Sequence, residues 1–365
     1  MIPSKRFGVS VAVCCFNSAK RICGTLAHLG AQEVSSEVSW ELLLIDNAST
    51  DETVQVALEC WERHPATPLR VVSERRQGLA YARERALAEA NFELVCFVDD
   101  DNWLASNWVQ LVASTMRQHP EVGVMGGASM AACESPSPAW FESCSTMYAV
   151  SPNSWTEGEC DQTHDCIWGA GMTIRRTAWK NIEQMGVPAL LRGRLGKSLA
   201  GGEDAELCYR LRLAGWKLWY EPRLQLRHFM PTQRLTWRYV RELYRGSGAA
   251  SAVLLPYVAE LNRRDERDAN QQHSWSWQMI VSIYHLLRRP RKLIKAALRH
   301  SEGDLEVLDL EMLYGRLMGL LRIRSYYRGV AQVRKLTHRL GALERNMNIE
   351  LSTRTGVLIG KDGNH

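Results

Sequence analysis

Between Phe7 and Val98 the chain alternates short unbroken apolar runs with stretches whose apolar residues recur every three or four positions. The runs Phe7–Phe16, Trp40–Ile45, Leu69–Ser73 and Leu94–Val98 predict strands buried on both faces. Ile22, Leu26 and Leu29 predict a first helix capped by Ser18. Val54, Leu58 and Trp61 share one face of a second, starting at Thr50 or Asp51, and Gln77–Leu87 predicts an alanine-rich third. This alternation implies a parallel sheet with right-handed crossovers and flanking helices.

Past Trp103 the pattern loosens. Val122–Ala128 and Ile167–Ile174 predict strands, Ser135–Pro138 and Ser151–Asp165 loops, and the Gly-, Arg- and Lys-rich Leu191–Gly202 a mobile segment. A helix opens at Gly202-Glu203-Asp204, runs through Leu207, Leu211 and Leu213, and stops at Gly215. Lys217–Tyr220 and Leu224–Phe229 return as strands. Beyond Pro231 the spacing is purely helical, over Arg234–Gly246, Ser274–Leu287 and Leu305–Leu321, and residues past Ser352 predict a disordered tail. The expected organisation is an α/β domain over 1–232 (halves about 1–103 and 104–232), a helical region over 233–351 and a tail over 352–365.

Composition changes this picture little: 45% hydrophobic, 23% charged and a net charge of +5 are ordinary for a globular chain. Lys5 and Arg6 are followed by no long apolar run, so no secretory signal is expected, and no stretch of about 18 apolar residues predicts a spanning helix. The ten cysteines follow no repeating framework; Cys14, Cys15 and Cys96 lie in apolar runs and read as buried thiols. A reducing, cytoplasmic compartment is the expectation.

The chemistry gathers at strand ends. Asp99-Asp100-Asp101 follows an apolar run, where an open parallel sheet places its ligand crevice. Adjacent like charges repel, and a divalent cation relieves that cost; oxygen ligands of this kind suit Mg²⁺ or Mn²⁺ shared with substrate phosphates. A solvated acidic turn, with Asn102 capping a helix, is the plain alternative. Asp46 ends another strand, where it also fits a loop and helix cap. Arg83 on its own reads as a solvated helix charge, Glu203 and Asp204 as acids complementing a helix dipole, and His228 as a hydrogen-bonded strand-end residue.

Taken in order, five motifs resemble those of family 2 glycosyltransferases of the GT-A fold. They are Val11–Asn17, Leu43–Asp51, Gln77-Gly78 through Arg83, Asp99–Asp101 and Gly202–Leu207, spread over roughly the first 230 residues. The resemblance implies a nucleotide-sugar donor, a UDP-sugar first, with Phe16, Asn17, Asp46, Arg83, Asp99 and Asp100 around the nucleotide. It implies Mg²⁺ or Mn²⁺ on Asp99 and Asp101, with His228 as a further ligand. Asp204 is then the general base, with Glu203 positioning a hydroxyl acceptor, and transfer inverts the anomeric carbon. The acceptor would be a glycan, a lipid-linked or a polysaccharide precursor. Two alternatives stay open: a nucleotidyltransferase acting on sugar phosphates, which would release pyrophosphate, and a non-catalytic nucleotide-sugar-binding protein.

Gly193–Ser198 is not a P-loop, because Leu191 stands where the motif needs glycine. Cys160–Cys166, with Cys133 and Cys144, matches no usual zinc spacing. Arg288–Arg299 carries six basic residues and no acid, next to the apolar Ile280, Ile283 and Leu287. This mixture fits domain packing or peripheral docking on an anionic membrane, on its inner face; no nucleic-acid-binding module is recognisable.

Overall fold

Five strands come from the first part of the chain: β1 (Val9–Cys15), β2 (Trp40–Asp46), β3 (Leu69–Ser73), β4 (Leu94–Asp99) and β5 (Asn102–Leu104). The second part adds β6 (Val122–Cys133), β7 (Gly158–Glu159), β8 (Thr173–Arg175) and β9 (Lys217–Met230). In the computed structural model all nine join one sheet in the order β3-β2-β1-β4-β8-β6-β9-β5, with β7 beside β9. The model describes residues 6–63, 65–151, 155–160, 166–191, 193, 201–262, 274–288, 290, 301–322 and 326–339. Pairing is parallel across β3-β2-β1-β4 and between β6 and β9, and antiparallel where β8, β5 and β7 insert. The sheet is therefore mixed and mostly parallel, as the apolar strands predict.

Alternation along each strand divides the core into two layers. Val9, Val11 and Val13 of β1, with Leu42 and Leu44 of β2, face α1 (Ile22–Gly30), α2 (Thr53–Glu62) and α4 (Trp108–Gln118). Ala12, Leu43, Ile45, Val95 and Phe97 point the other way, onto α3 (Leu79–Glu89), α5 (Arg176–Gln184) and α6 (Glu203–Leu213). Strands buried on both faces need apolar residues at every position, and that produced the unbroken runs in the sequence.

Several local expectations change. Ser18 does not cap α1: its hydroxyl donates to Asp100, 82 residues away. In α2 the buried face is Thr53, Ala57 and Trp61, while Leu58 is exposed. Asn102 begins the edge strand β5 rather than a helix. Of the expected 167–174 strand only Thr173 and Ile174 are extended, and β8 adds Arg175. The two strands expected over 217–229 are one, β9, which carries a register irregularity opposite Gly127/Ala128. Helix α4 and helix α5 escaped the pattern reading. Most of 191–202, the basic run beyond Arg288 and the tail past Ser352 lie outside the described residues.

The helical region begins later and runs longer than expected. α7 (Trp237–Leu261) is capped by the Thr236 hydroxyl, which accepts the Tyr239 N–H. It packs on α9 (Leu305–Leu320), which in turn packs on α8 (Trp275–Leu287); a further helix, α10, covers 326–339. α7 also touches α6, so the helical region backs onto the helix that carries Glu203 and Asp204.

Cysteine usage departs from the expectation of thiols throughout. Cys23 of α1 and Cys60 of α2 form a disulfide. Cys14, Cys15 and Cys96 are buried thiols as expected, and burial pushes Cys96 up to about 11. Among the described residues no helix is long and apolar enough to cross a membrane.

Candidate active site

The carboxyl ends of β1 and β4, the start of α6 and the end of β9 converge on one cavity of about 510 Å³. Its wall includes Phe16, Arg83, Asp99, Asp100, Asp101, Glu203, Asp204 and His228, so the structure brings most of the sequence-derived candidates together. Asn17 and Asp46 are not on that wall. Asn17 sits at φ 50, in the left-handed region asparagine tolerates, and its Oδ1 accepts the Thr50 N–H at 2.8 Å. Asp46 Oδ1 accepts the Ser49 N–H at 3.2 Å. Asn17 thus braces the loop after β1 against the loop after β2, while Asp46 holds the turn that follows its own strand. The neighbouring Asn47 does line the cavity; its Oδ1 accepts the Gly78 N–H at 2.7 Å and its amide donates to the Arg76 carbonyl at 2.7 Å, fixing the entry to α3.

Each acid of the triplet faces a different cation. Asp99 shares the wall with Arg83; burial raises its pKa against the pull of that guanidinium, and the charge of Asp101 adds to the rise. Asp100 accepts the Arg21 fork, Nε at 3.0 Å and Nη2 at 2.7 Å, together with the Ser18 hydroxyl. Asp101 meets Arg234 at 3.0 Å and His228 Nε2 at 3.4 Å. Burial works against its charge, but His228 and Arg234 outweigh it and hold the carboxyl well below the usual carboxylate range.

Sheet register explains the His228 contact. β5 pairs with β9 so that Asn102 lies opposite His228, and the Phe229 N–H donates to the Asp101 carbonyl at 2.8 Å. The His228 ring is anchored from behind, Nδ1 lying 3.0 Å from the Tyr148 carbonyl. A carbonyl only accepts, so Nδ1 donates to it, and Nε2 is the ring nitrogen turned to Asp101.

Asp204, on the same cavity, is held by two donors. Arg83 Nη1 pairs with Oδ1, and the Gly169 N–H donates to Oδ2 at 2.8 Å. Arg83 also lies 4.0 Å from Glu203 and has the Phe97 ring beneath it at 5.5 Å. Burial disfavours its charge, yet Asp204, Asp99 and Glu203 together raise its pKa. A Cβ at Gly169 would meet the Arg83 guanidinium, so a side chain there would displace it from its present place. Cys14 lines the same wall as a thiol rather than a nucleophile: burial drives it up to about 12.

Arg21 and Arg234 were missed in the sequence. Arg234 stands in a short 3-10 turn (Thr232–Arg234) after β9, far along the chain from Asp101, and no local pattern links the two. Arg21 had a weak signal: it follows the first strand by a few residues, where loops at this sheet edge gather. Trp168, which was expected in a strand, and Tyr148 also line the cavity, and neither was singled out as a site residue.

A mixed sheet of this order, with acids at its carboxyl edge facing an acid pair on a helix N-terminus, defines a GT-A type transferase fold. Residues 6–249 match the family described as "Glycosyltransferase like family 2", and the chain belongs to that family, whose members are nucleotide-sugar glycosyltransferases. Its sequence is 23% identical over 259 residues to the succinoglycan biosynthesis protein ExoM of Rhizobium meliloti, covering 70% of this chain and 77% of that one. It is 26% identical over 107 residues to the cholesterol galactosyltransferase of Borreliella burgdorferi (29% of this chain, 28% of that protein). A match to the pre-mycofactocin glycosyltransferase of Mycobacterium tuberculosis has 25% identity over 186 residues, 49% of this chain and 36% of that protein. This chain thus spans about a third of the length of two of these three relatives. Its fold is similar to that of S. aureus TarS 1-349 in complex with UDP-GlcNAc, with a TM-score of 0.52, 15% identity, and coverage of 93% and 92% of the two chains.

Proposed function

We propose that the chain transfers a hexosyl group from a UDP-sugar to a hydroxyl acceptor, inverting the anomeric carbon, with Asp204 as general base. The observation that carries the reading is a single cavity lined by both the Asp99–Asp101 triplet and Glu203-Asp204. A sugar held between them has its leaving diphosphate beside the triplet and its open face toward Asp204. The structural relative holding UDP-GlcNAc supports the uridine donor, and the succinoglycan relative supports a glycan or polysaccharide precursor as acceptor.

In the reaction the acceptor oxygen forms a bond to the anomeric carbon as the carbon–phosphate oxygen bond breaks. The acceptor proton goes to Asp204 and the electron pair leaves on the nucleoside diphosphate. Arg83 and the Gly169 N–H hold the Asp204 carboxylate in place, so the base needs no reorganisation when the proton arrives. Phe16, half exposed at the rim, offers its ring to the base. Arg21 and Arg234 lie beside the acids nearest the diphosphate and place positive charge there.

A divalent cation fits this site. Among the described residues five carboxylates line the cavity against three guanidiniums, an excess of negative charge that a nucleoside diphosphate would increase. Among the described residues no three His, Cys, Asp or Glu side chains form a complete metal cage. Mg²⁺ and Mn²⁺ need none, since they take one or two protein ligands and complete their shell with phosphate and water. Asp101 and His228 Nε2 would hold the ion, with Asp99 close by. When bound, it supplies Lewis-acid stabilisation of the leaving diphosphate.

Asp204→Asn tests the assignment. Turnover is expected to fall on the order of 10²–10⁴-fold with UDP-sugar affinity little changed, read by UDP release and by ligand titration. Release of pyrophosphate instead of UDP would make the chain a nucleotidyltransferase. Wild-type turnover in Asp204→Asn, with Glu203→Gln inactive, would move the base to Glu203.

A further inference from the structure

Helix α8 is unusual for a helix packed on one side only. Its sequence, Trp-Ser-Trp-Gln-Met-Ile-Val-Ser-Ile-Tyr-His-Leu-Leu, contains no Asp, Glu, Lys or Arg. The inward face is accounted for. Trp275 Nε1 donates to the Leu320 carbonyl at 2.7 Å, Arg316 donates to Gln278 Oε1 at 2.8 Å, and Met279 packs beside Leu320 and Tyr326. The outward face is also apolar. Trp277, Ile280, Ile283, Tyr284 and Leu287 recur at helical spacing and are 43%, 60%, 41%, 52% and 69% exposed. A surface helix ordinarily turns charge to water on this side, and a contiguous apolar stripe there marks an interaction surface.

The charges beside the stripe say what it meets. Arg288, exposed, lies over the Tyr284 ring at 5.2 Å, so its guanidinium is held on the stripe's own face. In sequence it opens the run to Arg299 with six basic residues and no acid. Aromatic residues at the ends of an apolar face, followed by cations, match the boundary between acyl chains and anionic headgroups. At about 1.5 Å per residue the helix is about 20 Å long, against about 30 Å for a hydrocarbon core, so it can lie in the interface but not span it. We propose that the outer face of α8, with Arg288 over its end, docks the protein on an anionic lipid surface. The inference does not depend on which donor or acceptor the active site takes.

The test is co-sedimentation of the full chain with vesicles of phosphatidylcholine alone, or of equal parts phosphatidylcholine and phosphatidylglycerol. Binding to the anionic vesicles at low salt is expected, with release as salt rises and little binding to phosphatidylcholine alone. Ile280→Asp/Leu287→Asp should reduce partitioning at least about tenfold without moving the thermal midpoint, because both positions are solvent-exposed. Arg288→Gln should reduce it about fivefold and leave the stripe intact, which covers the case in which the double variant fails to fold. Absence of wild-type binding to anionic vesicles, equal binding to both vesicle types, or wild-type binding by a folded double variant overturns the proposal. So does a wild-type dimer in light scattering that the double variant turns into a monomer, since the stripe would then be an interface between copies.

Discussion

Arg83 is the residue on which both halves of the cavity depend. Its helix comes from the donor half of the chain, and its partner Asp204 lies 121 residues later. A buried guanidinium is tolerable only because Asp204, Asp99 and Glu203 face it, and those acids need it in return. Arg83→Leu is therefore expected to cost about 3–5 kcal/mol in denaturant unfolding, by leaving carboxylates buried without their counter-charge. Arg83→Leu/Asp204→Leu should cost less than the sum of the single changes by about 1–3 kcal/mol. Strict additivity in that cycle would mean the pair contributes nothing jointly, and Arg83 would be a plain packing residue.

At the scale of elements, α7 and α9 meet backbone against backbone. A Cβ on Gly248 would strike the Met312 carbonyl, and one on Gly315 the Arg245 carbonyl, so each glycine makes room for the other helix's backbone. Glu311, nearly buried, accepts Arg241 at 2.6 Å and Arg245 at 2.8 Å across the same seam. Glycine within a helix ordinarily costs about 0.5–1 kcal/mol relative to alanine, so an unconstrained Gly→Ala change stabilises. Here the sign should reverse: Gly315→Ala is expected to destabilise by about 1–3 kcal/mol through forced separation of the helices. A raised thermal midpoint in that variant would show that the contact is loose. The α1–α2 link makes a second case. Closing a loop of 37 residues by Cys23–Cys60 should contribute about 3–4 kcal/mol, removed by Cys60→Ser. Reductant should lower the wild-type midpoint and leave that of Cys60→Ser where it is.

For the molecule as a whole, donor and metal should act together. The excess of carboxylates among the described residues of the cavity wall is expected to repel a diphosphate unless a divalent cation accompanies it. UDP-GlcNAc with Mn²⁺ is therefore expected to raise the unfolding midpoint, by about 2.7 kcal/mol of added stability at a hundredfold excess over Kd. EDTA should abolish the shift, and Asp101→Asn should weaken it. An equal shift in EDTA would leave Arg21 and Arg234 as the whole of the diphosphate counter-charge.

Pattern alone carried the sheet to the end of β4 and the start of α6, because strands buried on both faces need unbroken apolar runs and helix starts have local signals. It also picked out Asp99–Asp101, since a run of acids beside an apolar strand is locally odd. Glu203 and Asp204, by contrast, read by pattern as helix-dipole acids, and only the family resemblance singled them out. What the chain's order could not express was which distant groups face them. His228 reaches Asp101 through the β5–β9 register, Arg234 arrives on the turn after β9, and Ser18 gives up a helix cap to bond Asp100. The outward stripe of α8 was equally hidden. An apolar helix reads the same whether its second face is buried or bare, and only packing against α9 on one side decided that the other meets solvent.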